Sequence, residues 1–328
     1  MVGLGTAICP ATSDAPCGYH ARRHGTHDEL EVPLAPRCVV KLRATLQDHR
    51  GPVQCVRFDL EGKRIATGSR DRHIRVWSLR GKLERSIDAH AEGVDVLCFA
   101  GDELVRGGGD GSLAVWSWPK GVARLDLAAH EGPVYTLAVS PAANLIASGG
   151  ADETIALWSL DEGELVHRLE VGPRGMSCVF AADGEHLVTG VRGDTLRFWS
   201  LASGELVWEQ DAGPGMVGAF EPDRSGEWVV SRGWRGPVTV WSTETWSYAG
   251  VLPIIEDGLC GAALRPGYEQ VVCGWERSVG VFDASRGELL DVADVGTKLV
   301  HEIDVSPDGS LVAVACGDKK ARLYSLEG

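Results

Sequence analysis

Seven aromatic residues recur along this chain at almost constant spacing. Trp77, Trp116, Trp158, Trp199, Trp241, Phe282 and Tyr324 follow one another at intervals of 39 to 42 residues. The text around them recurs too: ATGSRDRHIRVWSLRGKLERSID from Ala66, ASGGADETIALWSLDEGELVHRLE from Ala147 and VTGVRGDTLRFWSLASGELVWEQD from Val188. A period of about 40 residues marks a repeat architecture, and it has to be settled before any local motif is interpreted. At 328 residues the chain is long enough for about two average domains, but a repeated β-fold can use that length as one.

Each unit has the same internal grammar. The third reads VYTLAVS from Val134, then NLIASGG, TIALWSL and ELVHRLE. These are four short runs rich in Val, Ile, Leu and Trp, separated by Gly, Asp, Ser and Pro, and none keeps a helical period. A four-stranded antiparallel sheet cannot bury both faces alone, but radially stacked sheets cover one another. The expected fold is therefore all-β, a seven-bladed β-propeller of four-stranded antiparallel blades. The last unit stops after its third strand, at Tyr324-Ser325-Leu326, while CVVKLRATLQDH (38–49) resembles a fourth strand with no unit before it. Residues 39–46 are expected to complete the last blade and close the ring, removing an open sheet edge. Residues 1–37 differ in composition and are expected to form a flexible tail, with the propeller occupying 38–328.

The units resemble the WD-repeat family, whose repeats pair a His, a Ser or Thr, an Asp and a Trp. His49, Thr67, Asp71 and Trp77 match that set, as do His130, Ser148, Asp152 and Trp158. The resemblance implies a hydrogen-bonded chain from Asp through His to the hydroxyl and on to the indole. Such a chain satisfies groups that would otherwise cost about 1–3 kcal/mol each when buried. Other units lose members: Arg106 stands at the hydroxyl position of unit two, which keeps His90, Asp110 and Trp116. Val171 and Gly193 replace His and Asp in unit four, Asp211 and Arg235 do so in unit five, and unit seven keeps only Asp318. The later units are thus expected to depend more on apolar packing.

Recurrence of His49, His90 and His130 at one repeat position makes them structural rather than catalytic. No GxSxG, Walker-type GxxxxGK or HExxH pattern is present, and RGGGDGS at 106–112 ends in the repeat's own turn. No enzymatic activity, cofactor or metal is expected. Cys9, Cys17, His20, His24 and His27 are ligand types, but their spacing fits no familiar zinc site. The nine cysteines follow no fixed spacing and read as reduced core residues. A net charge of −14 disfavours nucleic acid and anionic membranes as partners. The opening MVGLGTAIC lacks Lys and Arg and its apolar run is short, so a cytoplasmic location is expected.

The resemblance implies that partners are contacted on one propeller face, at the residue before each turn Asp and around the opening of each first strand. On this chain those positions are Gln54, Arg70, Asp95, Tyr135, Arg174, Met176, Arg192, Met216, Trp234, Cys260, Trp275, Leu299 and His301. Aromatics, Met and Arg are the types enriched at interface cores. For Trp234 and Trp275 two roles stay open: contact residue, or filler for the missing polar chains. The expected function is a non-catalytic scaffold presenting a rigid face to a protein or peptide, as a monomer or as a subunit of a larger complex. The alternative is an enzyme or small-ligand binder at the channel mouth, which would bring His301 together with Asp95 or Arg192.

Overall fold

The computed structural model describes residues 39–89, 92–172, 177–191, 195–213, 219–232, 237–252, 259–266, 269–296 and 299–327. Its regular elements there are all β-strands, arranged as seven four-stranded antiparallel sheets. Blades one to six take their strands in chain order from 53–88, 94–128, 134–170, 177–211, 219–252 and 259–294. In blade seven, Val300–Val305, Leu311–Cys316 and Ala321–Glu327 are joined by Val39–Leu46, which pairs antiparallel with Ala321–Glu327 from Val39↔Glu327 to Leu46↔Ala321. The amino-terminal strand therefore supplies the missing fourth strand, as the repeat count requires. The first strand of every blade packs against the first strand of the next, and Val300–Val305 packs against Val53–Phe58, so the ring closes around a central channel.

Burial follows position in the blade. The second and third strands are almost wholly buried: Leu145–Gly150 is buried at every residue, and Thr154–Ser159 at all but the last. Fourth strands are largely exposed, as in Leu165–Glu170 and Leu206–Asp211. Apolar clusters lie between neighbouring blades rather than within single sheets. Val53, Val56 and Phe58 of blade one, for example, pack with Leu46, Ala313 and Leu323 of blade seven. This is how each sheet covers its second face, and why one repeat would not stand alone.

Candidate functional site

Blades one and three contain complete polar chains. His49 Nδ1 lies 3.0 Å from Asp71 Oδ2, its Nε2 lies 2.7 Å from Thr67 Oγ1, and the Trp77 indole donates to that oxygen at 2.8 Å. In blade three, His130 pairs with Asp152 at 2.9 Å and with Ser148 Oγ at 2.9 Å, and Trp158 donates to Ser148 Oγ at 3.0 Å. Burial pushes the His49 imidazole down to about 4, against the pull of Asp71, so it is neutral at pH 7. Burial alone would raise the Asp71 carboxyl, but the Arg50 amide, His49 and Arg75 together hold it well below the usual carboxylate range. Blades four and five keep the inner half of the chain, Trp199 to Thr189 at 2.9 Å and Trp241 to Ser231 at 2.7 Å.

Blade two replaces the hydroxyl by a cation. Arg106 is only 2% exposed and donates to the Ser112 carbonyl at 3.2 Å. Its guanidinium carbon sits 5.7 Å from the centroid of the Trp116 ring, within cation–π range. The arginine thus contacts the face of the ring whose N–H a hydroxyl would have received. Blade six fills the same region apolarly. Trp275 is half-buried, and a Cβ on Gly280 would come within 2.7 Å of its ring. Trp275 stands 5.9 Å from Phe282 at 59°, close to the 6.3 Å and 54° between His49 and Trp77. Its ring adds to the packing of the blade while part of it stays accessible. Trp234 lies outside the described residues, as do Arg174, Met176, Arg192, Met216, His90 and the tail residues Cys9, Cys17, His20, His24 and His27.

One face of the ring is built by a recurrent main-chain bond. The N–H of Arg70 donates to the Pro52 carbonyl at 3.1 Å, Gly109 to Gly93 at 3.2 Å, Ala151 to Pro133 at 2.9 Å and Gly317 to Leu299 at 2.9 Å. Each bond ties the turn between the second and third strands to the entrance of the first. Just beyond it the first strand bulges. Its register skips one residue between Val53 and Cys55, Val94 and Val96, Val134 and Thr136, Leu259 and Gly261, and Val300 and Glu302. The skipped residues are Gln54, Asp95, Tyr135, Cys260 and His301. A bulge takes a residue out of the ladder and re-aims its side chain. The face therefore carries Tyr135 at 49% exposed, Leu299 at 54% exposed and an exposed Arg70, with Gln54, Asp95 and His301 half-buried. Burial raises the Asp95 carboxyl and Arg70 opposes it; burial also lowers the His301 imidazole, and Arg70 lowers it further.

The channel holds charges that the repeat pattern does not announce. The Arg57 guanidinium of blade one reaches Glu221 of blade five at 3.1 Å and Glu302 of blade seven at 2.9 Å. Blades one and five are not neighbours, so the pair spans the channel. Arg224 of blade five reaches Asp304 of blade seven at 3.2 Å, and Asp304 accepts from the Phe58 amide at 2.6 Å. Burial pushes the Glu221 carboxyl up to about 7, with Arg57 opposing. Charged residues at inward positions of otherwise apolar first strands were the available signal, but sequence order does not say which of them meet.

Three segments, residues 40–78, 122–159 and 294–325, match the family model described as WD domain, G-beta repeat. Each runs from a fourth strand through the third strand of the next blade, so the sequence repeat is offset from the structural blade. The p21-activated protein kinase-interacting protein 1-like of Danio rerio is 33% identical over 123 residues, 37% of this chain and 33% of that protein. Echinoderm microtubule-associated protein-like 2 of Rattus norvegicus is 28% identical over 275 residues, 78% of this chain and 40% of that protein. Apoptotic protease-activating factor 1 of Rattus norvegicus is 30% identical over 144 residues, 43% of this chain and 12% of that protein. The chain spans less than half the length of each of these relatives.

Proposed function

We propose that this chain, a WD-repeat β-propeller, is a non-catalytic interaction scaffold that presents the bulged face to a protein or peptide partner. The observation carrying this reading is the bulge at the opening of five first strands, which turns Gln54, Asp95, Tyr135 and His301 out of their ladders beside Arg70 and Leu299. A face held by repeated main-chain bonds is already ordered, so little conformational entropy is lost when a partner docks. Exposed Tyr and Arg side chains are suited to that task. Two relatives point the same way, being named for interaction with a kinase and for association with microtubules.

Affinity capture from a lysate of cells that express the protein tests this, comparing wild type with two folded variants. Tyr135→Ala/Arg70→Glu/Leu299→Asp alters the face, and Val207→Ala/Tyr248→Ala alters exposed positions on fourth strands. A partner kept by wild type and the rim variant but lost by the face variant supports the proposal. A partner lost only by the rim variant overturns it.

A further inference from the structure

Two clefts on this face share Arg70. One, of about 640 Å³, lies along blade one and is lined by Arg50, Arg70, Arg72, His73 and Arg75 with Asp48 and Asp71. The other, of about 570 Å³, lies where blades seven and one meet and is lined by Pro52, Gln54, Arg70, Leu299, His301 and Gly317. The first is basic in a chain whose net charge is −14. Both carboxylates in it are already engaged. Asp71 accepts from the Arg50 main-chain N–H at 2.7 Å and from Arg75 at 2.8 Å, while Asp48 pairs with Arg75 at 3.0 Å. Arg75 therefore takes up both, and among the described residues neither the Arg50 nor the Arg72 guanidinium forms an ion pair. Arg70 has Asp95 at 3.9 Å, beyond hydrogen-bond range. Three exposed guanidinium groups thus face solvent together, and the corresponding turn of blade seven adds the exposed Lys319.

The second cleft supplies what a bare anion would not need. Leu299 is exposed beside Pro52 and Gly317, and no Cβ at Gly317 crowds the His301 ring, which a methyl there would approach to 3.0 Å. Burial and the Arg70 charge both lower the His301 imidazole, so beside Arg70 the groove adds apolar surface rather than a second firm cation. On the side of blades two and three the basic ground ends. The corresponding turns of blades two and three carry Asp110, Asp152 and Glu153. A long polyanion or a lipid surface would have to extend over those carboxylates; a short segment would not.

We propose that the side of the face formed by blades one and seven binds an acidic peptide segment, its carboxylates paired with Arg50, Arg70 and Arg72 and one apolar side chain seated between Pro52 and Leu299. The guanidinium fork suits carboxylates because it can donate two parallel hydrogen bonds. This inference rests on the interaction-face reading and names the chemistry of the partner there.

Fluorescence anisotropy with the full chain tests it, using a fluorescein-labelled dodecapeptide of Glu and Asp with one central Leu. Saturable binding is expected, weakened by about tenfold or more in Arg70→Glu/Arg72→Glu, weakened by raised salt, and weakened again when the peptide Leu is replaced by Ala. The substituted side chains are exposed, and urea unfolding checks that the variant retains the wild-type fold. No saturable binding, or equal binding by the variant, overturns the proposal. Tighter binding of a uridine oligonucleotide or of anionic phosphatidylserine vesicles, with the same dependence on Arg70 and Arg72, overturns the peptide in favour of that polyanion. If the acidic peptide fails while capture still maps to the face, the interaction surface stands and only this assignment falls.

Discussion

A single buried hydroxyl organises each complete polar chain. Thr67 and Ser148 are fully buried, and each receives an indole N–H while pairing with an imidazole. Trp158, 7% exposed, joins that bond to packing between blades two and three. Trp158→Ala is expected to lower unfolding free energy by about 3–5 kcal/mol in urea titrations, because it opens a large cavity and removes the indole donor from the Ser148 hydroxyl. His49 predicts a pH dependence. Its folded value near 4 lies below the ordinary 6.5, so the unfolded chain binds the proton more readily. Stability should then fall as pH drops from about 6.5 to about 4, on the order of 3 kcal/mol at most. Depression of Asp71 acts in the same sense at still lower pH. Urea midpoints at pH 7.5 and 4.5 should separate less in His49→Gln than in wild type.

Strands carry two kinds of bulge, the first in five blades and the second in all seven, with different uses. One, at the entrance of the first strand, aims side chains at the face. The other breaks the pairing of third and fourth strands beside the closing aromatic, as between Val76 and Trp77 or between Leu157 and Trp158. It recurs in blade seven between Leu42 and Ala44, so the amino-terminal strand obeys the same rule as the fourth strands it stands in for. Leu46 at the end of that strand is fully buried against Val53, Phe58 and Leu323. Leu46→Ala is expected to cost about 2–5 kcal/mol. Deleting residues 39–46 should be worse, exposing the edge of Ala321–Glu327 and favouring aggregation. Thermal unfolding followed by light scattering would register both effects.

At the scale of the whole ring, the ion pairs across the channel tie blade five to blades one and seven, neither of which is its neighbour in the circle. Removing one partner from a buried pair leaves the other charge uncompensated. Arg57→Met is therefore expected to cost about 3–5 kcal/mol, whereas Arg57→Met combined with Glu221→Gln and Glu302→Gln should recover a large part of the loss. Urea unfolding of the single and combined variants checks this. Glu221 also contributes a pH dependence opposite to that of His49. Its folded value, near 7, is raised above the ordinary 4.5, so its contribution is fully present below about 4.5 and is lost as pH rises through 7. Glu221→Gln should flatten that decline.

The sequence by itself determined the number of blades, their strand grammar, the closing role of residues 39–46 and the members of the polar chains. All of these are properties of one repeat compared with the next, and periodicity exposes them. What Arg106 does in place of a hydroxyl, how Trp275 packs over Gly280, and which charges meet across the channel were decided by the tertiary structure. Arg57 and Glu221 are separated by 164 residues, and no spacing rule links them. They meet because closing the ring brings seven first strands around one axis, where an inward charge must find its partner on whichever blade lies opposite.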